Sequence, residues 1–299
     1  MTARRPSGPE LRAELAEKGY VILKSVFPPA RLDELRTAAT HTTSSARTGA
    51  WPHVRVVGKQ FPPWDPAEAL EEGIWGVQHL LHPDLPEPDA AAFVKAYFSE
   101  EILSIVRDLL ECDDDDLVME LFNMLVRPER DFELRWHRDD IPPEATAEEE
   151  LERLREPAWH AQYNLSLYPD ASLVVVPGSH TRARTDAERA AGPYEANMPG
   201  QVVVELEPGD VVFYDNNILH RGVYDSMKER MTLHGSVGHV KGKTARARNV
   251  LQHAVGEWVD RCKFDELEGE ARKRAEGMRE RLIRMGKEAG ADLGYSQKG

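Results

Sequence analysis

The chain has 299 residues, 41% of them apolar, with 38 Lys and Arg against 52 Asp and Glu for a formal charge of −14. That length suffices for one large core without forcing a split into domains. The acidic balance excludes nucleic acid and anionic membrane surfaces as default partners, since both are polyanions.

Taken in chain order, the N-terminal M-T-A-R-R-P has no apolar h-region behind its arginines and does not read as a secretory signal. Pro9 and Glu10 open, and Gly19 closes, a predicted helix over 9–18. Y-V-I-L at 20–23 reads as a strand, and F-P-P-A-R-L-D-E-L-R-T-A-A as a second helix. Residues 41–92 are punctuated by Pro and Gly and predict loops with short helices, whereas apolar steps of three and four predict one helix over 89–110. Asp113 to Asp116 read as a solvated turn.

From Leu117 the texture becomes short β-branched and aromatic runs separated by Gly, Pro and Asp turns, including R-W-H-R-D, Q-Y-N-L-S-L-Y and P-G-D-V-V-F-Y. This predicts an antiparallel sandwich or barrel. The acidic, helix-forming segment 141–158 interrupts it and is placed as a lid-like insertion beside the barrel mouth. In the tail, Phe264, Leu267, Ala271, Ala275, Met278, Leu282 and Met285 form one stripe of a helix over 264–290. Packing on the body is the ordinary reading and a homodimer seam the alternative. No 20–50-residue repeat and no 18-residue apolar run occurs. Cys112 and Cys262 lack the number and spacing of a disulfide framework or zinc site. The expectation is a soluble cytoplasmic domain with 1–116 mainly helical, a β core over 117–240 and a helical extension from 241.

On a strand, positions i and i+2 share a face, so His137 and Asp139 of L-R-W-H-R-D-D converge on one point. His220, at the far end of P-G-D-V-V-F-Y-D-N-N-I-L-H, adds a second imidazole from a separate strand. Two histidines and one carboxylate are the ligand set of a facial triad, which suits iron(II) and leaves open positions. Ten residues on, Arg230 is placed to hold a distal carboxylate of a 2-oxo acid, with the hydroxyl of Thr232 on the same face.

W-H-R-D, S-L-V-V-V-P-G-S-H at 172–180, P-G-D-V-V-F-Y at 208–214 and His220 followed by Arg230 resemble the phytanoyl-CoA dioxygenase family of iron(II)- and 2-oxoglutarate-dependent oxygenases, as does the opening G-Y-V-I-L and helix. The resemblance spans roughly residues 10–240. It implies a mainly β, cupin-like double-stranded β-helix, or jelly roll, with flanking helices. It also implies His137, Asp139 and His220 as metal ligands, Arg230 as anchor of 2-oxoglutarate, O2 as cosubstrate and a small-molecule substrate. Met124 in F-N-M-L-V and Asn164 in Q-Y-N-L-S fall where the family places further cosubstrate contacts.

Three departures from the family pattern stand out. P-D-A-S replaces Glu-Asn-Gly ahead of P-G-S-H, a change of turn that touches no ligand; the 141–158 segment is longer and more acidic; and Arg138 stands where Gln is frequent, where it reshapes the substrate pocket. The Trp-rich loop 51–75 and the acidic insertion are expected to cover the pocket, which Asp140 also shapes. Trp159 and His160 read equally as pocket lining or an ordinary strand entry, His180 as a turn residue, and His234 as a pocket or core histidine. The arginines at 127, 130, 135 and 138 read as a solvated loop, with reception of an anionic substrate as the alternative. A carboxylate at Asp139 favours hydroxylation, desaturation or cyclisation over halogenation, and a natural-product or amino-acid-derived substrate is expected. A non-catalytic jelly-roll binding module and a cupin-like metalloenzyme using no 2-oxo acid are the competing classes.

Overall fold

The computed structural model describes residues 5–290. Helix α1 (Gly8–Lys18) ends on Gly19 at φ +81°, whose N–H donates to the Leu15 carbonyl at 2.7 Å and turns the chain into strand β1 (Tyr20–Leu23). A side chain is unfavourable here twice over: the backbone is left-handed, and an added Cβ would stand 2.5 Å from His180 Nδ1. Helix α2 (Pro29–Arg47) follows, then β2 (Val54–Val56), α3 (Pro66–Glu72) and β3 (Ile74–Val77). α2 runs well past the predicted end, because Ala38, Ala39, Thr42, Thr43 and Ala46 keep one buried face going into the stretch expected to be loop.

The helix expected over 89–110 is two helices, α4 (Asp89–Tyr97) and α5 (Glu100–Leu110). They part at Ser99, which is extended (φ −70°, ψ 150°) and precedes Glu100 and Glu101, an N-terminal signal that continuous apolar spacing concealed. The β core comprises β4 (Leu117–Val126), β5 (Phe132–Glu133), β6 (His160–Ser166), β7 (Asp170–Val175), β8 (Val202–Leu206), β9 (Val211–Tyr214), β10 (His220–Tyr224) and β11 (Met231–His239). Helix α6 (Ala147–Leu154) lies between β5 and β6, and α7 (Asp186–Ala190) between β7 and β8. The C-terminal part carries α8 (Lys243–Leu251) and α9 (Gly269–Ala289). Phe264 and Leu267, expected within the last helix, precede α9 but still pack in the core.

All strand pairs are antiparallel, in a seven-stranded sheet ordered β1-β9-β6-β11-β4-β3-β2 and a four-stranded sheet ordered β5-β10-β7-β8. Together they form the expected double-stranded β-helix. Strand alternation divides the large sheet's side chains between two environments. Tyr163, Leu165, Phe213 and Leu233 face a core shared with the helices, while Val212 and Tyr214 meet Leu173, Val175 and Val204 of the small sheet. The stripe of α9 is taken up by the chain's own body: Ala275, Met278 and Leu282 are fully buried. Arg274 of α9 also pairs with Asp114 at 3.0 Å, so the acidic turn at 113–116 anchors this helix as well as facing water.

Candidate metal centre

R-W-H-R-D is not a continuous strand. β5 ends at Glu133, and His137 rejoins the small sheet by a single bridge to His220, each N–H donating to the other's carbonyl at 3.0 Å. Asp139 then hangs from the next turn, its N–H donating to the Asn216 carbonyl at 2.9 Å. The convergence expected of an ideal strand is thus achieved by a bridge and a backbone tether. His137 Nε2 lies 3.4 Å and His220 Nε2 3.7 Å from Asp139 Oδ1. Among the described residues this is the group of His, Cys, Asp and Glu side chains that could hold a metal ion, with ligand atoms within 4.8 Å of one another.

Hydrogen bonding settles which atoms face the centre. His137 Nδ1 lies 2.9 Å from the Arg135 carbonyl and His220 Nδ1 2.8 Å from the Ile218 carbonyl. A carbonyl only accepts, so both Nδ1 atoms carry the proton and both Nε2 lone pairs point inward. Gln162 donates its Nε2 to Asp139 Oδ2 at 3.1 Å, while Oδ1 lies towards the two Nε2 atoms of His137 and His220. Burial and the neighbouring His137 push His220 down to about 4. Burial alone would raise the Asp139 carboxyl, but His137 and His220 hold it well below the usual carboxylate range. At neutral pH His220 is therefore a neutral imidazole and Asp139 a carboxylate, the protonation states a metal requires of them.

Arg230 is 5% exposed and is no surface arginine. Its Nε donates to Asp170 Oδ2 at 3.1 Å, its guanidinium lies 4.4 Å from the Tyr224 ring centre, and its Nη1 is buried without a hydrogen-bond partner. Thr232 does share its face, but the hydroxyl donates to the same Asp170 oxygen at 2.7 Å rather than opening to the cavity. The P-D-A-S departure therefore does more than alter a turn: it supplies the buried counterion that orients the guanidinium. Asp170 is itself fixed by the Ser172 N–H at 2.8 Å.

A cavity of about 180 Å³ joins the triad to Arg230, Asn164 and His234. Asn164 Oδ1 lies 2.9 Å from His234 Nδ1, and burial pushes that histidine down to about 3. Met124 is not brought to this site. It is fully buried in the core on the other face of β4, while Leu121 and Leu125 line the cavity. Arg138 likewise points away, its guanidinium donating to the carbonyls of Ser179 and Asn217 and to that of Arg182 at 3.1 Å. Asp140 does line the cavity; His160 lines a separate one, and His180 bonds the Ala16 carbonyl from its turn.

The lid is not where the sequence suggested. Loop 51–75 covers the cavity with Arg55, Phe61 and Trp64, but no residue of 141–158 lines it. Glu150 of α6 is fully buried between Arg184 and Arg189, which tie the insertion to the α7 segment. The facing wall comes from the C-terminal part: Arg246, Asn249, Gln252 and His253. The arginine cluster also disperses, with Arg130 on Glu72, Arg127 near Glu229, Arg135 over Phe61 and Arg138 on the carbonyls. Gln162 and Asp170 were missed in the sequence. Gln162 was findable, since it lies two residues before Asn164 on the same strand face. Asp170 was not, because its pairing with Arg230 joins positions 60 residues apart.

The model for phytanoyl-CoA dioxygenase (PhyH) matches residues 15–231. No curated protein matches the chain in sequence. Among solved structures, AviO1 from Streptomyces viridochromogenes Tue57 is 19% identical with a TM-score of 0.54, over 79% of this chain and 96% of its own. EctD from S. alaskensis, solved with 2-oxoglutarate and 5-hydroxyectoine, is 17% identical with a TM-score of 0.55, over 78% and 76%. The epimerase SnoN, solved with Fe3+, alpha ketoglutarate and nogalamycin RO, is 16% identical with a TM-score of 0.54, over 78% and 84%. These likenesses agree on the fold, and the match over 15–231 places the chain in the phytanoyl-CoA dioxygenase family of non-haem iron- and 2-oxoglutarate-dependent enzymes.

Proposed function

We propose that this chain is an iron(II)- and 2-oxoglutarate-dependent oxygenase that hydroxylates, desaturates or oxidatively cyclises a small molecule. The observation that carries the reading is the meeting, in one cavity, of two inward Nε2 lone pairs and a carboxylate with a buried guanidinium whose Nη1 lacks a partner. His137, Asp139 and His220 would hold the iron, and Arg230, aligned by Asp170, would take the distal carboxylate of 2-oxoglutarate, with Asn164 and His234 on the cavity wall. Bound iron(II), 2-oxoglutarate and dioxygen supply an oxidant able to take hydrogen from carbon, with succinate and carbon dioxide as coproducts. A natural-product or amino-acid-derived substrate fits a small cavity with both aromatic and polar walls.

Both competing classes leave features unused. A binding module needs neither inward-facing imidazole lone pairs nor a low-lying carboxylate between them, and a cupin-like enzyme without a 2-oxo acid leaves Arg230 Nη1 desolvated for nothing, at a cost of about 1–3 kcal/mol. We read the whole chain as one oxygenase unit, because α8 lines the cavity and α9 packs on the barrel. With its apolar stripe buried, α9 has only its charged face for a second copy, so a monomer is preferred over a homodimer through this helix, which light scattering decides. No helix among the described residues is long and apolar enough to cross a membrane. A cytoplasmic setting suits two free cysteines, Cys112 and the buried Cys262.

The test is succinate formation from 2-oxoglutarate with iron(II) and ascorbate. Turnover is expected in the wild type and lost in folded His137→Ala and Asp139→Ala variants. Turnover independent of iron, or undiminished in both variants, sinks the assignment.

A further inference from the structure

Asp140, next to the metal-side carboxylate Asp139, stands at the centre of a hydrogen-bond chain that the triad does not use. Asn249 donates Nδ2 to Asp140 Oδ1 at 3.0 Å, and Gln252 donates Nε2 to Asn249 Oδ1 at 3.0 Å. Asn216 donates Nδ2 to Asp140 Oδ2. A carboxylate only accepts, so both asparagines must turn their amide nitrogens towards it. For Asn249 the oxygen left over is taken by Gln252. For Asn216 it is not: this side chain is 3% exposed, and its Oδ1 is buried with no hydrogen-bond partner. Asp140, Asn216, Asn249 and Gln252 all line the cavity of the metal centre.

One wall of the cavity therefore carries a buried acceptor, Asn216 Oδ1, whose demand for a donor is unmet. Arg246, on the same helix as Asn249, donates Nε and Nη2 to the buried Glu120 at 2.7 Å each, and Arg55 lies against the rings of Trp64 and Trp75. Asn249 and Gln252 lie beyond residue 231, where the family match ends, so part of this wall comes from the C-terminal part of the chain.

Resting on the oxygenase reading, we propose that Asp140 and Asn216, set by Asn249 and Gln252, form the substrate-recognition wall, and that the substrate is a polyol or amino-polyol presenting hydroxyl or ammonium donors. A phosphate or carboxylate at that end would meet the Asp140 side chain and the unmet Asn216 Oδ1, both acceptors. Because Asn216 also holds the Asp139 N–H through its carbonyl at 2.9 Å, whatever its side chain binds is placed beside the metal.

The test is calorimetric titration of the full-length protein, loaded with manganese(II) and 2-oxoglutarate so that it binds without turning over. The probes are methyl glucoside and glucosamine, against fully O-methylated glucoside and acetyl-CoA. The donor-bearing probes are expected to bind at least about tenfold more tightly than the methylated one, because the wall's acceptors are met only by donors. Asn216→Leu, which removes the unmet acceptor at similar volume, and Asp140→Asn are each expected to weaken that binding about tenfold. No donor-dependent binding, a preference for acetyl-CoA, or unchanged affinity in both variants overturns the proposal. Failure of the wild type to bind 2-oxoglutarate overturns the oxygenase reading instead, and the probe titration repeated without cosubstrate still decides the wall.

Discussion

Replacement of Arg230 by Leu separates what this residue does for the fold from what it does for the cosubstrate. The Arg230 and Asp170 side chains are 6% and 5% exposed, so solvent screens their pairing little. Removing one partner of such a pair strands the other charge at a cost of about 3–5 kcal/mol, whereas removing both is often nearly neutral. Arg230→Leu should lower the urea midpoint accordingly, and the double variant with Asp170→Leu should recover most of that loss. Cosubstrate binding should follow the opposite logic. Losing a buried, charge-assisted partner of a carboxylate costs about 2–5 kcal/mol, or about 30- to 5,000-fold in the dissociation constant of 2-oxoglutarate. The double variant should restore none of it, since the guanidinium is still absent. Urea melts and calorimetric titration of 2-oxoglutarate into the metal-loaded protein measure the two quantities on the same samples. Recovery of cosubstrate affinity in the double variant, or its survival in the single one, would refute Arg230 as the anchor.

Gln162→Leu removes the amide that donates to Asp139 Oδ2 and should weaken metal binding about 10- to 100-fold by competition against a chelator; an unchanged affinity would show that the tether to Asn216 suffices. Glu150→Leu strands Arg184 and Arg189 and should cost about 3 kcal/mol in urea melts with metal affinity intact, because no residue of 141–158 lines the cavity. His220, His234 and His253 are held down to about 4, 3 and 3, mainly by burial. The fold keeps them neutral, while an unfolded histidine takes a proton below about pH 6.5, so stability is full above that pH and falls as the pH drops towards 4. At pH 5 the loss is about 2 kcal/mol for each, and a melting temperature of the metal-free protein that stays level from pH 7 to 5 would contradict it.

By itself the sequence determined the strand-rich core and singled out His137, Asp139, His220 and Arg230, which the fold brings to one cavity, because each rests on local pattern or on a motif whose spacing survives packing. It also determined that Ala275, Met278, Leu282 and Met285 would form a buried stripe, since helical period alone selects that face, whereas Phe264 and Leu267 are buried from the segment ahead of the helix. Tertiary structure decided the rest. Met124 went to the core because alternation about β4 turned Leu125 to the cavity. Arg138 went to backbone carbonyls, and the 141–158 insertion was drawn aside by Arg184 and Arg189. Asp170 found Arg230 across 60 residues, and Asn249 found Asp140 across 109. Such pairings arise where a buried charge or polar atom must meet a partner, and only the folded chain specifies which one is within reach.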